Sequence, residues 1–248
     1  MIATLKNMIL KNVFPVREKP STEAYDLWCK DYDDQHGNLM MDMDEAILAE
    51  LLQRVTVTNK QIADIGCGTG RHWPKLFRLQ PAGLTGFDVS AGMLGRLHQK
   101  FPTAHIRKIR NNLFDDVETG SYDMILSTLA VAHIENIGEA LQAWSRILKT
   151  RADIIITDFH PNALAFGGKT TFEHNNSQIA IQNFVHYISD IEETLAQNNF
   201  HVVNKIERDV DESVKHYYTA KNALHVYEKF KGSHMIYGIH LRRGYDTE

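Results

Sequence analysis

The sequence predicts an α/β protein with a doubly wound, mostly parallel seven-stranded sheet, and three observations carry that expectation. From residue 61 onward, short apolar runs alternate with stretches of helical period, the pattern of a parallel sheet covered by helices on both faces. A glycine-rich loop, Gly66-Cys67-Gly68-Thr69-Gly70, separates the first apolar run from the first helical stretch, and an acidic residue, Asp88, ends the second run. The 248 residues are 43% hydrophobic and 23% charged, which suits one globular domain with insertions and leaves no apolar run long enough to span a membrane.

Taken in order, strands are expected at Gln61–Ile65, Gly83–Asp88, Thr103–Ile109, Tyr122–Ser127 and Asp153–Asp158. Helices fit between them over Arg71–Leu79, Ala91–Lys100 and Ile137–Lys149, the last placing Ala140, Leu141, Trp144 and Leu148 on one face. After Asp158 the rhythm changes to a polar, glycine-containing stretch over 160–177, a strand-like run at Gln178–Phe184 and a helix near Asp190–Asn198. Phe200–Glu207 and Met235–Leu241 complete the seven strands, with a helical segment, Ser213–Phe230, between them. Residues 56–159 thus read as a ligand-binding core, 160–187 and 212–232 as lid insertions after the fifth strand and before the last, and 1–55 as an N-terminal helical cap. Residues 1–14 are mildly apolar but interrupted by lysines and asparagines, so they read as a surface segment or short helix rather than a signal peptide. Arg242 and Arg243 on the last strand read as edge charges that discourage aggregation.

Composition excludes several classes. Two cysteines, Cys29 and Cys67, have neither zinc-site spacing nor the density of a secreted scaffold, so a reducing cytoplasm is the expected compartment. A net charge of −4 with scattered Lys and Arg argues against long nucleic-acid partners. No H-E-x-x-H, Cys/His cluster or Gly-Lys-Ser phosphate loop occurs, so no metal site or nucleotide phosphoryl transfer is expected.

The glycine loop ends a strand and opens a helix, where doubly wound sheets bind ligands. Glycines there permit backbone angles and close approaches that a Cβ blocks, and the following helix presents unpaired N–H groups. Asp88, within Gly86-Phe87-Asp88-Val89-Ser90, can accept hydrogen bonds from both ribose hydroxyls of an adenosine ligand. A dinucleotide fingerprint reads G-x-G-x-x-G, whereas here Gly66-x-Gly68-x-Gly70 follows an acid, Asp64. That acid repels a pyrophosphate but can pair with an amino group, which favours an adenosine ligand bearing an amine over NAD.

Over about residues 21–160 the chain resembles the class I S-adenosylmethionine-dependent methyltransferases, in particular the small-molecule group that includes quinone- and biotin-pathway enzymes. Asp64-Ile-Gly-Cys-Gly-Thr-Gly70 resembles the family's first motif, and Asp88-Val89-Ser90 with Met93-Leu94 its second. Ser121–Ser127 is similar to the fourth-strand motif and Trp144–Lys149 to the helix leading into the fifth strand. The resemblance implies a Rossmann-like fold and S-adenosyl-L-methionine as cofactor, with Gly66 and Gly68 along its methionine part and Asp88 on its ribose. Asp64, Cys67, Val89, Met93 and Leu129 complete the expected binding set. Family members often place an aspartate after the third strand for the adenine amino group; Arg110-Asn111-Asn112-Leu113 stands here. Asn111 or Asn112 can substitute, and a plain polar turn is the other reading. The segment Ala24–Asp33 resembles the helix and loop folded over the cofactor, with Tyr25 and Tyr32 as candidates for excluding water and meeting the sulfonium by cation–π attraction. Tyrosines seven apart also make an ordinary packing stripe.

Methyl transfer from a sulfonium is an in-line displacement, so the protein mainly aligns the acceptor and, where needed, takes its proton. Of thirteen histidines, His133, just past the fourth strand in Leu129-Ala-Val-Ala-His-Ile134, is the first candidate base, although it can equally shape the pocket or satisfy backbone groups. His160, in Asp158-Phe-His-Pro161, is the second; His174, His186 and Tyr187 read as local lid groups. The Asn-Pro-Pro-Tyr type motif of base-amino methyltransferases is absent. The resemblance implies methyl transfer to an O, N or C atom of a small-molecule acceptor. A non-catalytic S-adenosylmethionine sensor or interaction protein is the alternative, and a homodimer is compatible with both.

Overall fold

In the computed structural model, which describes residues 16–244, an N-terminal layer precedes the alternating core. The reading of residues 1–14 lies outside the described residues. The layer comprises β1 (Arg17–Lys19), α1 (Ser21–Trp28), a 3₁₀ turn (Tyr32–Asp34) and α2 (Leu39–Leu52). The core runs β2 (Gln61–Ile65), α3 (Trp73–Arg78), β3 (Gly83–Asp88), α4 (Ala91–Lys100), β4 (His105–Lys108), β5 (Tyr122–Thr128), α5 (Ile137–Ile147) and β6 (Leu148–Phe159). There follow α6 (Pro161–Ala165), β7 (Thr171–His174), β8 (Ser177–Ile181), α7 (Ile188–Ala196), β9 (Phe200–Asp209), α8 (Lys215–Ala220), α9 (Leu224–Phe230) and β10 (His234–Arg243).

Seven strands form one sheet in the order β4-β3-β2-β5-β6-β10-β9. The strands from β2 to β6 pair in parallel, and β10 runs antiparallel to both β6 and β9. Strand order reverses between β2 and β5, the switch point at which open α/β sheets bind ligands. Apolar side chains alternate between two cores: Ile154 and Ile156 of β6 face Trp144 and Leu141 of α5, while Ile155 faces the side of Ile47, Leu51 and Trp73. Both faces are covered, which is why these strands read as unbroken apolar runs.

Several boundaries and segments differ from expectation. The predicted helix over 137–149 stops at Ile147, because Leu148 pairs with Tyr122 across a register shift and so opens β6. Arg242 and Arg243 are not edge charges: β10 lies inside the sheet, Arg242 Nε donates to Asp153 Oδ1 at 2.8 Å and Arg243 Nη1 to the Ser145 carbonyl at 3.0 Å. Within the polar stretch after β6, β7 and β8 form a hairpin that takes β1 as its third strand, in parallel with β8. Residues 213–230 divide into a 3₁₀ turn and two short helices, whose Val214, Tyr218, Tyr227 and Phe230 pack with Leu39 and Met43 of α2. Among the described residues no helix is long and apolar enough to cross a membrane.

Helix α2 lies directly on β10. A Cβ on Gly238 would stand 2.2 Å from Ile47 Cγ2 and 3.0 Å from Leu51 Cδ1, so glycine sets how closely helix and sheet approach. Gly238→Ala is expected to lower stability by about 1–3 kcal/mol through overpacking. Urea denaturation checks this, and an unmoved midpoint would mean that α2 shifts away freely.

Candidate active site

At the end of β2 the chain turns through Gly66, Gly68 and Gly70, all with positive φ of 73°, 53° and 73°, angles that side chains with a Cβ resist. At Gly66 a Cβ would also lie 2.4 Å from that of Ala130, so the close approach of the loop to the segment after β5 requires glycine. The Gly68 N–H donates to Asp88 Oδ2 at 2.8 Å, and the Ser90 N–H donates to Asp88 Oδ1 at 2.8 Å. Burial pushes the Asp88 carboxyl up from its ordinary value, against the pull of those backbone bonds.

A cleft opens at this switch point. The core supplies Gly66, Gly68, Asp88, Val89, Met93 and Asn112; the segment after β5 supplies Leu129 and His133; the N-terminal layer supplies Tyr25 and Tyr32. Asn111 is outside it: the side chain is exposed and its Oδ1 accepts the Leu113 N–H at 3.3 Å, the polar-turn arrangement. Leu129 takes φ +51°, a conformation rare for a side chain of its size and concentrated at functional sites. A smaller recess adjoins the glycine loop, bounded by Asp64, Cys67, Thr69, Arg71 and Tyr32. Asp64 Oδ2 accepts the Trp73 indole N–H at 2.7 Å, and burial raises its carboxyl to about 6. Burial likewise pushes the Cys67 thiol well up, so it packs and does not ionise.

His133 Nδ1 lies 2.9 Å from the Gln182 carbonyl and Nε2 lies 3.0 Å from Tyr25 Oη. A carbonyl only accepts, so Nδ1 carries the proton and Nε2 accepts from the tyrosine hydroxyl. Burial holds the imidazole below its ordinary pKa, keeping it neutral, and pushes the Tyr25 phenol well up. Tyr25 belongs to packing as well: its ring stacks with Trp28 at 6.0 Å, and Trp28 stacks on Phe172 of β7 at 4.8 Å. The layer is tied down on both sides of the cleft. Asp26 Oδ1 accepts from Ser90 Oγ at 2.6 Å and the Gly92 N–H at 2.8 Å, while Asp33 Oδ1 accepts from Thr69 Oγ1 at 2.5 Å.

His160 is not brought to the cleft. Its Nδ1 accepts the Asn162 N–H at 3.2 Å, capping α6, and its Nε2 lies 3.1 Å from Glu207 Oε1 on β9. The proline that follows starts that helix. Residues 212–232 line neither the cleft nor the recess. Beyond Tyr25, Tyr32 and Leu129, which face both spaces, lies a second cavity lined by Trp28, Asn38, Met40, Met41, Phe159, Lys169, Thr170 and Thr171. Sequence reasoning missed Arg71, although it directly follows Gly70, and it missed Asn38, Met40 and Met41 in the lining of this second cavity. Among the described residues no group of three or more His, Cys, Asp or Glu could hold a metal ion.

Arg71 is fixed by the buried Asp44 of α2. Asp44 Oδ2 accepts from Arg71 Nη2 and from His72 Nε2, the latter at 2.8 Å, and Oδ1 accepts from Thr157 Oγ1. His72 Nδ1 lies 3.0 Å from Glu45 Oε2. Burial opposes charge on Asp44, but the His72 bond and the His72 and Arg71 charges outweigh it, so its pKa falls; His72, for the converse reason, rises. Asp44→Asn is expected to cost about 3–5 kcal/mol, because it leaves buried cations without their counter-charge. The lowered Asp44 contributes above its ordinary value of 3.8 and is lost as pH falls through its folded pKa; the raised His72 contributes below 6.5 and is lost as pH rises through its folded pKa. The gap between wild type and variant in denaturant melts is therefore widest between those two values.

A doubly wound sheet with a glycine loop at its switch point and an acid at the end of the next strand is an α/β arrangement that binds ligands at that edge. Residues 63–156 match the family described as a methyltransferase domain. No curated protein sequence matches the chain. An S-adenosylmethionine-dependent methyltransferase from Mesorhizobium loti shares the fold at TM-score 0.60 and 17% identity, over 80% of this chain and 96% of that one. Magnesium protoporphyrin IX methyltransferase from Synechocystis, solved with bound SAH, aligns at TM-score 0.60 and 16% identity over 90% and 95% of the two chains. The cyclase SpnF aligns at TM-score 0.64 and 14% identity, over 93% and 98%. Residues 63–156 therefore carry a methyltransferase domain, and the chain as a whole has the fold of S-adenosylmethionine-dependent methyltransferases.

Proposed function

We propose that the chain is a methyltransferase that binds S-adenosylmethionine in the cleft and methylates a small-molecule acceptor held in the adjoining cavity. The observation that carries this reading is that two cavities of different chemistry meet at Tyr25, Tyr32 and Leu129. The first suits the donor. Asp64 and Arg71 bound one recess, offering a carboxylate to an ammonium and a guanidinium to a carboxylate, as an amino-acid end requires. Asp88 accepts from ribose hydroxyls, Val89 and Met93 give the base an apolar bed, and Asn112 offers it both a donor and an acceptor. When bound, S-adenosylmethionine supplies a methyl group already activated on a sulfonium, so no covalent enzyme intermediate is needed. The N-terminal layer and the β7–β8 hairpin act as the cap that excludes water.

His133 serves as proton acceptor by way of Tyr25. A hydroxyl on the acceptor donates to Tyr25 Oη as the phenol gives its own proton to His133 Nε2, while the Gln182 carbonyl holds the ring in the tautomer that leaves Nε2 bare. Because burial lowers the His133 pKa, the base stays available below the ordinary histidine value, and the acid limb of the pH–rate profile is expected there.

Calorimetry with S-adenosylmethionine and its demethylated product tests the donor site, and binding of neither would reject it. Asp88→Ala is expected to weaken that binding by about 1–3 kcal/mol, the loss for hydrogen bonds to a carboxylate; unchanged affinity in a folded variant counts against the assignment. Turnover on a panel of phenols, amines and carboxylates separates enzyme from sensor. His133→Ala is expected to slow turnover about 10²- to 10⁴-fold with donor binding kept, and an undiminished rate would reduce the residue to pocket lining.

A further inference from the structure

We infer that the cavity beside the donor cleft takes an apolar acceptor bearing an anionic group, with Lys169 as the counter-charge. This rests on the reading of the cleft as the donor site. One part of the cavity is apolar and partly rigid. Trp28 stacks on Phe172, the two rings 1° from parallel, and packs with Tyr25 as well, so it contributes a fixed aromatic wall. Met40, Met41 and Phe159 continue that surface, the thioethers adapting to an irregular outline.

The polar part is made of donors. Asn38 Oδ1 is taken by the N–H groups of Met40 and Met41 at 3.1 and 3.4 Å, which leaves its amide NH₂ for a ligand. Thr170 and Thr171 add hydroxyls, and Lys169 is the one charged residue in the lining. A cationic acceptor would meet a like charge there. Lys169 is paired with Glu18 of β1, a residue outside the lining, and both side chains are 41–48% exposed. An ion pair so open to water is weak, so a carboxylate or phosphate on the acceptor can take Lys169 from Glu18. Glu18 then works as a gate that an anionic ligand displaces and a neutral one does not.

Matched aryl probes read this by calorimetry: 4-hydroxybenzoate, its neutral amide 4-hydroxybenzamide and the cation tyramine, each titrated with and without S-adenosylhomocysteine. The benzoate is expected to bind about three- to tenfold more tightly than the amide, the range for a half-exposed charge pair, with tyramine weakest. Lys169→Met should remove the preference and Glu18→Gln should enlarge it. Equal affinity for acid and amide, tightest binding of tyramine, or a preference that survives Lys169→Met would overturn the inference. Failure of the donor site registers separately, as absence of heat with S-adenosylhomocysteine alone.

Discussion

The carboxylate of Asp44 sits fully buried where three layers meet, and its hydrogen bonds decide how they stack. Its backbone belongs to α2, while its oxygens accept from Arg71 and His72 after the glycine loop and from Thr157 on β6. A charge in an apolar interior is tolerated only with partners of this kind, and each partner must arrive at the right depth. Meeting that demand sets α2 flat on β10 at Gly238, orders the entrance to α3, and holds Arg71 beside Asp64. The recess beside the glycine loop is therefore a consequence of a contact made behind it.

The layer formed by α1 and the β7–β8 hairpin is joined to the core by different means. Its apolar cluster of Ala24, Trp28, Phe172, Ile179 and Ile181 is separate from the clusters on the two faces of the sheet. The links across the cleft are polar: Tyr25 to His133, Asp26 to Ser90 and Gly92, and Asp33 to Thr69 and Lys100. Tyr25 shows why packing and site readings of one residue need not compete, since its ring stacks on Trp28 while its hydroxyl reaches His133.

Much of the core was legible because its signals are local. The run Ile154-Ile155-Ile156 is buried on both faces and reads as a central strand by composition, and glycines at 66, 68 and 70 announce a turn that needs positive φ. The choice between Asn111 and Asn112 was not local: neighbouring residues point in different directions, and only one faces the cleft. Leu148 followed helical periodicity yet joins a strand, because pairing with Tyr122 outweighs propensity at a boundary. His160 shared with His133 its position after a strand, but its ring caps the next helix and meets Glu207 on β9, a partner distant in sequence.

From the sequence alone come the parallel core, the glycine loop with its paired acid Asp88, and the methyltransferase domain that they resemble, for each depends on residues close together in the chain or on a repeating period. The tertiary structure decided what spans distance. It joined β1 to a hairpin some 160 residues away, brought Asp44 beneath Arg71, oriented His133 through Gln182, and assembled the second cavity from α1, the start of α2, the end of β6 and the approach to β7. Contacts of that kind arise when several faces bury together, and no single stretch of sequence carries their pattern.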